Sequence, residues 1–391
     1  MIEPKLRFKA DDGSQFPEWE EKTIDEVAEC LDNKRVPVNS EERKKRVGVI
    51  PYYGAGGIQG YIDDYLFDEE LVLLLEDGDA FDDFQTKSIA QYVTGKSWVN
   101  NHAHVLRANG NSYFLFASLE HKDIRRWTQL AGASRKKLLK DSMLKITINM
   151  PSLAEQQKIA EFLSTIDTVI EKQKETVSAW EECKKGVMQK LFSQEVRFKA
   201  DDGSDFPEWE EKKLGDICKT FSGGTPKSGE ARYYDNGTIS FIRSGEIHDD
   251  KTELRITNDG LNESSAKMVD IGDILYALYG ATSGEVDISK IKGAINQAIL
   301  CIRPLNDFNR KFIVEILRYN KETILRTYLQ GGQGNLSAQI IQSLVFDFPC
   351  VAEQQKIADC LSSLDEVIEK QKTILAAWEE LKKGLLQQMF V

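Results

Sequence analysis

Few stretches of this chain carry residue types at spacings that could do chemistry. His102 and His104 alternate, and alternate strand residues share a face, so the pair resembles half of a metal site. No third imidazole or carboxylate sits at ligand spacing from them, and no metal is expected. His121 and His248 stand alone. Glu20-Glu21-Lys22 has the outline of a nuclease E-x-K, but no acid precedes it at strand spacing, so surface charge is the better reading. Gly224-Thr-Pro-Lys-Ser228 lacks the spacing of a phosphate loop and reads as a turn. Phe221-Ser-Gly-Gly224 alone does not signal a cofactor site, and there is no Asn- or Asp-Pro-Pro-aromatic methyltransferase motif. The expectation is a chain with no catalytic residues.

Basic clusters stand out against an acidic background of net charge −12. One joins Lys34-Arg35 to Arg43-Lys-Lys-Arg46. Another joins Arg125-Arg126 to Arg135-Lys-Lys137 and Lys140. Farther on, Lys227, Arg232 and Arg243 lie among glycines, tyrosines and asparagines. Lys and Arg can neutralise phosphates while Gln, Asn, Ser and Tyr on loops read base edges. A solvated protein face is the ordinary alternative. The net acidity means that DNA binding must come from local patches or from a partner's positive field.

The elements that must position these clusters are visible as repeats. Ala154–Phe192 recurs as Ala352–Phe390 with 25 of 39 positions identical. Neither copy contains proline, and each reads as one helix roughly 58 Å long. Ile159, Leu163, Ile166, Ile170, Gln173, Val177 and Trp180 step by four and three, continuing through Lys184, Val187 and Leu191. Ile357, Leu361, Leu364, Ile368, Gln371, Leu375 and Trp378 repeat that register, continuing through Lys382, Leu385 and Met389. This is a heptad seam, and the other copy is its simplest partner. The alternative is two helices packing separately on their own domains. Gln173 and Gln371 are each central in their copy. An antiparallel pair would bring these two amides together, with Ile166 near Leu375 or Trp378 and a pseudo-two-fold axis relating the halves.

A shorter repeat precedes each variable stretch. Arg7–Lys22 (RFKADDGSQFPEWEEK) and Arg197–Lys212 agree at 15 of 16 positions. Such near-identity suggests a junction through which the variable blocks are exchanged, or a common partner surface. The blocks between lead-in and helix diverge, yet share an outline of strands, a helical stretch (Tyr113–Leu130; Phe308–Leu329) and a closing strand. Val47–Tyr53, Leu71–Leu75 and Trp98–Leu106 read as strands of the first block, and Ile239–Ile242, Asp273–Tyr279 and Ala294–Ile302 as strands of the second. The expected organisation is a domain over 1–153, a helix over 154–193, a second domain over 194–351 and a second helix over 352–391. The class is α+β, with two similar domains separated by two long helices in an antiparallel coiled coil. At 391 residues there is length for two or three cores. No run of 18 apolar residues and no signal-like N-terminus occur, and six scattered cysteines suit a reducing cytoplasm.

Two divergent blocks alternating with two helices that open AEQQKIA, behind lead-ins carrying FPEWEEK, resemble the specificity subunit of type I restriction–modification enzymes over the full length. Further phrases of that kind are Phe221-Ser-Gly-Gly-Thr-Pro226, Tyr52-Tyr-Gly-Ala-Gly-Gly-Ile-Gln59, Asn101-His-Ala103 and Gly331-Gly-Gln-Gly-Asn335. The first block departs from the pattern at Leu74-Leu-Glu-Asp-Gly78 and lacks a Thr-Pro phrase. The resemblance implies that each block is a target recognition domain reading half of a bipartite duplex-DNA site. It also implies that the helices space the domains and hold two methyltransferase subunits, with restriction subunits joining outside. S-adenosylmethionine and ATP with magnesium would then belong to those partners, and this chain would hold no cofactor. On this reading Lys34, Arg35, Arg135 and Lys136 face DNA from the first block, and Lys227, Arg243, Tyr279 and Gln297 from the second. A cytoplasmic coiled-coil scaffold with two protein-binding heads is the rival from a different class.

Overall fold

The computed structural model of the protein describes residues 4–131, 135–329 and 335–390. It forms two compact units, Met1–Glu175 with Thr373–Val391, and Thr176–Lys372. Packing therefore divides each long helix near its middle, whereas the expected boundaries place the divisions at the helix ends.

In the first unit, Leu71–Leu75 is a five-residue apolar run buried throughout. Alternate side chains of a strand leave opposite faces, so Val72 and Leu74 enter one core while Leu71 and Leu73 enter another. The strand is central in a four-stranded antiparallel sheet ordered Ala28–Cys30, Ala103–Ala108, Leu71–Leu75, Ala90–Val93. A second sheet runs Gly57–Ile62, Ile50–Gly54, Lys96–Val99, Phe67–Asp68, and its inner two strands are parallel. A small pair, Glu20–Thr23 with Thr147–Met150, joins the lead-in to the strand before the long helix.

The second unit repeats these two sheets and the small pair strand for strand. Its antiparallel sheet is Cys218–Ser222, Ile299–Pro304, Ile274–Ala277, Val286–Ile288. The companion sheet is Arg255–Ile256, Ile239–Ile242, Gly293–Ile295, Lys267–Val269, again with a parallel inner pair. Glu210–Lys213 pairs with Val345–Phe348. Divergent sequences thus specify one topology, because what they share is the placing of buried strands rather than particular side chains.

Three sequence expectations change. Val47–Tyr53 is a strand only from Ile50, and Val47 and Val49 are exposed. Trp98–Leu106 and Ala294–Ile302 are each two strands around a tight turn. In those turns Asn100 Oδ1 accepts from the His102 amide (2.8 Å) and Asn296 Oδ1 from the Ala298 amide (3.1 Å). An asparagine side chain can replace a ladder partner in this way, and periodicity alone does not reveal it. Lastly, the helix beginning at Ser112 stops at Leu119, and Thr128–Ala131 forms a hairpin with Arg135–Leu138.

The long helices span Leu153–Phe192 and Val351–Phe390, 40 residues each. In the first unit Ile159, Leu163, Ile166 and Ile170 share a core with Leu375, Trp378, Leu386 and Met389, and also with the helix Ser112–Leu119. Early residues of one helix share a core with late residues of the other, so the helices run antiparallel there, as the expectation of Ile166 near Leu375 or Trp378 required. In the second unit Val187, Met188 and Leu191 share a core with Ile357, Leu361 and Leu364. Val177 and Ile368 are likewise buried. The seam serves the domain cores as well as the helix pair, so the two alternatives of the sequence reading are combined. Gln173 and Gln371 belong to different units.

The shared motifs AEQQKIA and FPEWEEK prove to be two sides of one clasp. Glu155 has no solvent exposure; it accepts from Arg7 Nε (3.1 Å), Arg7 Nη2 (2.7 Å) and Trp19 Nε1 (3.1 Å). Gln156 accepts from the Asn111 amide (3.2 Å) and donates to the Pro151 carbonyl (2.9 Å), while Lys158 donates to Asp11 (2.5 Å). The second unit repeats each contact. Glu353 accepts from Arg197 Nε (3.1 Å), Arg197 Nη2 (2.8 Å) and Trp209 (3.1 Å). Gln354 bonds Asn309 (2.8 Å) and Pro349 (2.8 Å), and Lys356 bonds Asp201 (2.6 Å).

Candidate nucleic-acid interface

In the second unit the phrase Phe221–Pro226 leaves its strand against the Asn296–Ala298 turn. The Gly224 amide donates to the Ile295 carbonyl (3.3 Å), and a Cβ on Gly223 would lie 1.9 Å from that oxygen. Only glycine permits so close an approach. Beyond it Thr225 Oγ1 donates to Gln297 Oε1 (2.6 Å). That leaves the exposed Gln297 amide with Nε2 as a donor and one oxygen lone pair, the pair of functions that recognises an adenine edge. Lys227 is exposed two residues later and lies 3.4 Å from Glu230. The Leu278 amide donates to the Ala298 carbonyl (2.8 Å), which brings Tyr279 and the Gly280–Gly284 turn to the same edge. The structure therefore places Lys227, Tyr279 and Gln297 on neighbouring loops.

Arg243 is differently placed. Its guanidinium is held by Glu246 (3.1 Å) and Glu253 (2.5 Å), and this pairing raises its pKa above the ordinary arginine value. It holds the loop 243–253 closed on itself. Any DNA contact would have to compete with two carboxylates.

In the first unit Lys34 is exposed, but its neighbour Arg35 turns inward. Arg35 pairs with Glu76 (2.5 Å) and Asp32 (3.2 Å) and donates to the Ala103 carbonyl (2.8 Å). Lys136, on the hairpin strand Arg135–Leu138, pairs with Asp82. Arg135 shares that strand. Lys137 pairs with Glu76 (3.0 Å). Lys34 and the hairpin are thus linked through the Arg35–Glu76–Lys137 network.

Asp32, Glu76 and His104 converge closely enough to hold a cation. Their atoms are already engaged. His104 Nδ1 faces Asp32 (2.6 Å) and Nε2 faces the Leu138 carbonyl (2.9 Å). Burial pushes the Asp32 carboxyl up in pKa, but His104, the Val105 amide and Arg35 outweigh it and hold the carboxyl below its usual range. Protein cations therefore already balance the cluster's charge. His102 and His104 do not act together: His102 lies in the turn capped by Asn100 and pairs with Asp77 (3.0 Å), whereas His104 lies on the strand Ala103–Ala108.

Sequence reasoning missed the clasp, although the paired repeats were a signal for it. It also missed Thr225, whose hydroxyl orients Gln297. Gly331–Asn335 lies mostly outside the described residues.

A family model described as the type I restriction modification DNA specificity domain matches residues 17–178 and again 207–379. A putative type I restriction enzyme specificity subunit of Haemophilus influenzae is 40% identical over 157 residues, which is 40% of this chain and 38% of that relative's length. The MjaVIII specificity subunit of Methanocaldococcus jannaschii is 25% identical over 411 aligned positions, 97% of this chain and 94% of the relative. Among solved structures, an S subunit of the type I system from M. genitalium superposes with a TM-score of 0.65 at 16% identity, over 100% of this chain and 99% of that one. A chain solved for the assembly and conformational transition of the type I R-M system gives 0.51 at 18% identity, covering 95% and 97%. At these identities the structures speak for the fold. The two matched segments together take in both units and most of the residues, and the chain belongs to the type I restriction–modification DNA specificity family.

Proposed function

We propose that this chain is the non-catalytic DNA-reading subunit of a type I restriction–modification complex, with each unit reading one half of a bipartite duplex target. The observation that carries this reading is the duplication: two units of one topology, each matched by the DNA specificity model and each packed on parts of both long helices. In the second unit Lys227, Tyr279 and Gln297 supply charge, an aromatic face and a bidentate amide. In the first, Lys34 and the hairpin bearing Arg135 and Lys136 supply charge beside the strand ends. Arg35 and Arg243 act behind these groups, by fixing the loops.

The partners on this reading are two methyltransferase subunits and, through them, restriction subunits, which bring S-adenosylmethionine and ATP with magnesium. Assembly of a type I system is the subject of one of the similar structures. The net charge of −12 supports sharing of the phosphate contacts with those subunits. The setting is the cytoplasm, where six free cysteines are stable. Binding of the assembled complex to duplex DNA should weaken steeply with salt through counterion release. A scaffold with protein-binding heads would bind no duplex selectively at any salt concentration, and that result would reject this reading.

A further inference from the structure

Lys184 and Lys382 occupy equivalent seam positions of the two helices, where an apolar residue would be ordinary. Both are nearly buried, at 12% and 14% exposure. In the first unit Lys382 Nζ lies 2.9 Å from Asp167 on the opposite helix and 3.1 Å from Glu120 of the recognition domain. In the second unit Lys184 Nζ lies 2.8 Å from Asp365 on the opposite helix and 3.0 Å from Glu315 of the domain. Burial pulls the Lys382 ammonium down in pKa, but Glu120 and Asp167 outweigh it and the group ends above the ordinary lysine value.

The two glutamates are not equivalent residues. The domain helices are fixed in frame by their capping asparagines: Asn111 accepts from the Phe114 amide (2.8 Å) and Asn309 from the Phe312 amide (3.1 Å). Glu120 is nine residues past its cap and Glu315 six past its own, so they differ by about one helical turn. Ala117 stands where the second unit has Glu315, and Arg318 where the first has Glu120. Two blocks that have diverged at these positions still bring a carboxylate to the equivalent lysine from different places. A buried ion pair is weak ground for stability, since apolar replacements of similar volume are often neutral or better; fixing a register or an orientation is its best-attested use.

We propose that Lys382 and Lys184 are positioning residues for sequence recognition. Each ammonium ties its recognition domain to the opposite helix and so fixes the attitude at which that domain presents its DNA-reading loops. This rests on the reading that each unit reads one half-site. The test is the methylation pattern of the complete subunit with its methyltransferase in cells, for Lys382→Met, Lys184→Met and Lys382→Arg. A charge-balanced variant, Lys382→Met with Glu120→Gln and Asp167→Asn, carries the test if the single variant fails to fold. The charge-balanced variant should keep thermal stability close to wild type, whereas the single Met variants, which leave carboxylates unpaired, should be less stable but folded. Discrimination against single mismatches should fall by roughly tenfold, about one base contact's worth, in the first unit's half-site for Lys382→Met and in the other half-site for Lys184→Met. Lys382→Arg should restore it. Folded variants that keep wild-type discrimination, or lose it equally in both half-sites, overturn the proposal. A wild-type pattern with no bipartite site overturns the underlying reading instead.

Discussion

Glu155 and Glu353 show how much one side chain can determine. Each is a carboxylate with no exposure, satisfied by one arginine and one indole of a lead-in 136 to 156 residues earlier in sequence. Removing one partner of such a pair leaves an uncompensated buried charge. Glu155→Ala should therefore destabilise the first unit, and Glu353→Ala the second, by about 3–5 kcal/mol. Chemical denaturation followed at Trp19 or Trp209 checks it, and a loss below 1 kcal/mol would be contrary to the roughly 3 expected. Asp32 sets a pH dependence. Its folded pKa lies below the ordinary 3.8 because His104, Val105 and Arg35 favour the carboxylate over the cost of burial. The stabilisation is present above the unfolded value and is lost as pH falls through the lowered folded value. Asp32→Asn should thus be less stable at neutral pH, and its unfolding midpoint should vary less as pH falls from the unfolded value of 3.8 through the lowered folded value.

At the scale of elements, strands and long helices were legible because burial imposes a period on sequence. Leu71–Leu75, Ile239–Ile242 and both 40-residue helices follow their patterns closely. The breaks were not legible where a side chain replaces a ladder bond, as Asn100 and Asn296 do, or where an apolar residue lies on an exposed hairpin, as Leu130 does. Site residues were harder still. Lys34 and Arg35 are adjacent and equally basic, yet one is exposed and the other is a partly buried strut. Spacing carries no information on that difference. Gln297 is the sharpest prediction here, because Thr225 leaves it one donor and one acceptor to offer. Gln297→Ala should cost about 1–3 kcal/mol of discrimination, confined to one half-site. Competition binding with single-base variants of the target measures it; a uniform loss across all sequences would assign Gln297 to general affinity.

The whole molecule is one plan used twice, with the lead-in kept more strictly than the rest. In each copy ten of its 16 residues are exposed, and only the Gln15/Asp205 position differs. The clasp accounts for Arg7, Asp11 and Trp19 but not for most of the exposed identity. We propose that recognition blocks are exchanged through these junctions, which predicts closely related strains with unrelated blocks joined at Arg7–Lys22 or Arg197–Lys212. A survey finding intact blocks in every strain would leave a shared partner surface as the explanation. The central claim is that two like units read two half-sites. Its most direct measurement is single-molecule sequencing of DNA methylated in cells that express this chain with its methyltransferase. A bipartite, asymmetric motif with two short specific halves separated by a fixed unread gap is the predicted result. A single continuous motif, or no new motif, would contradict it.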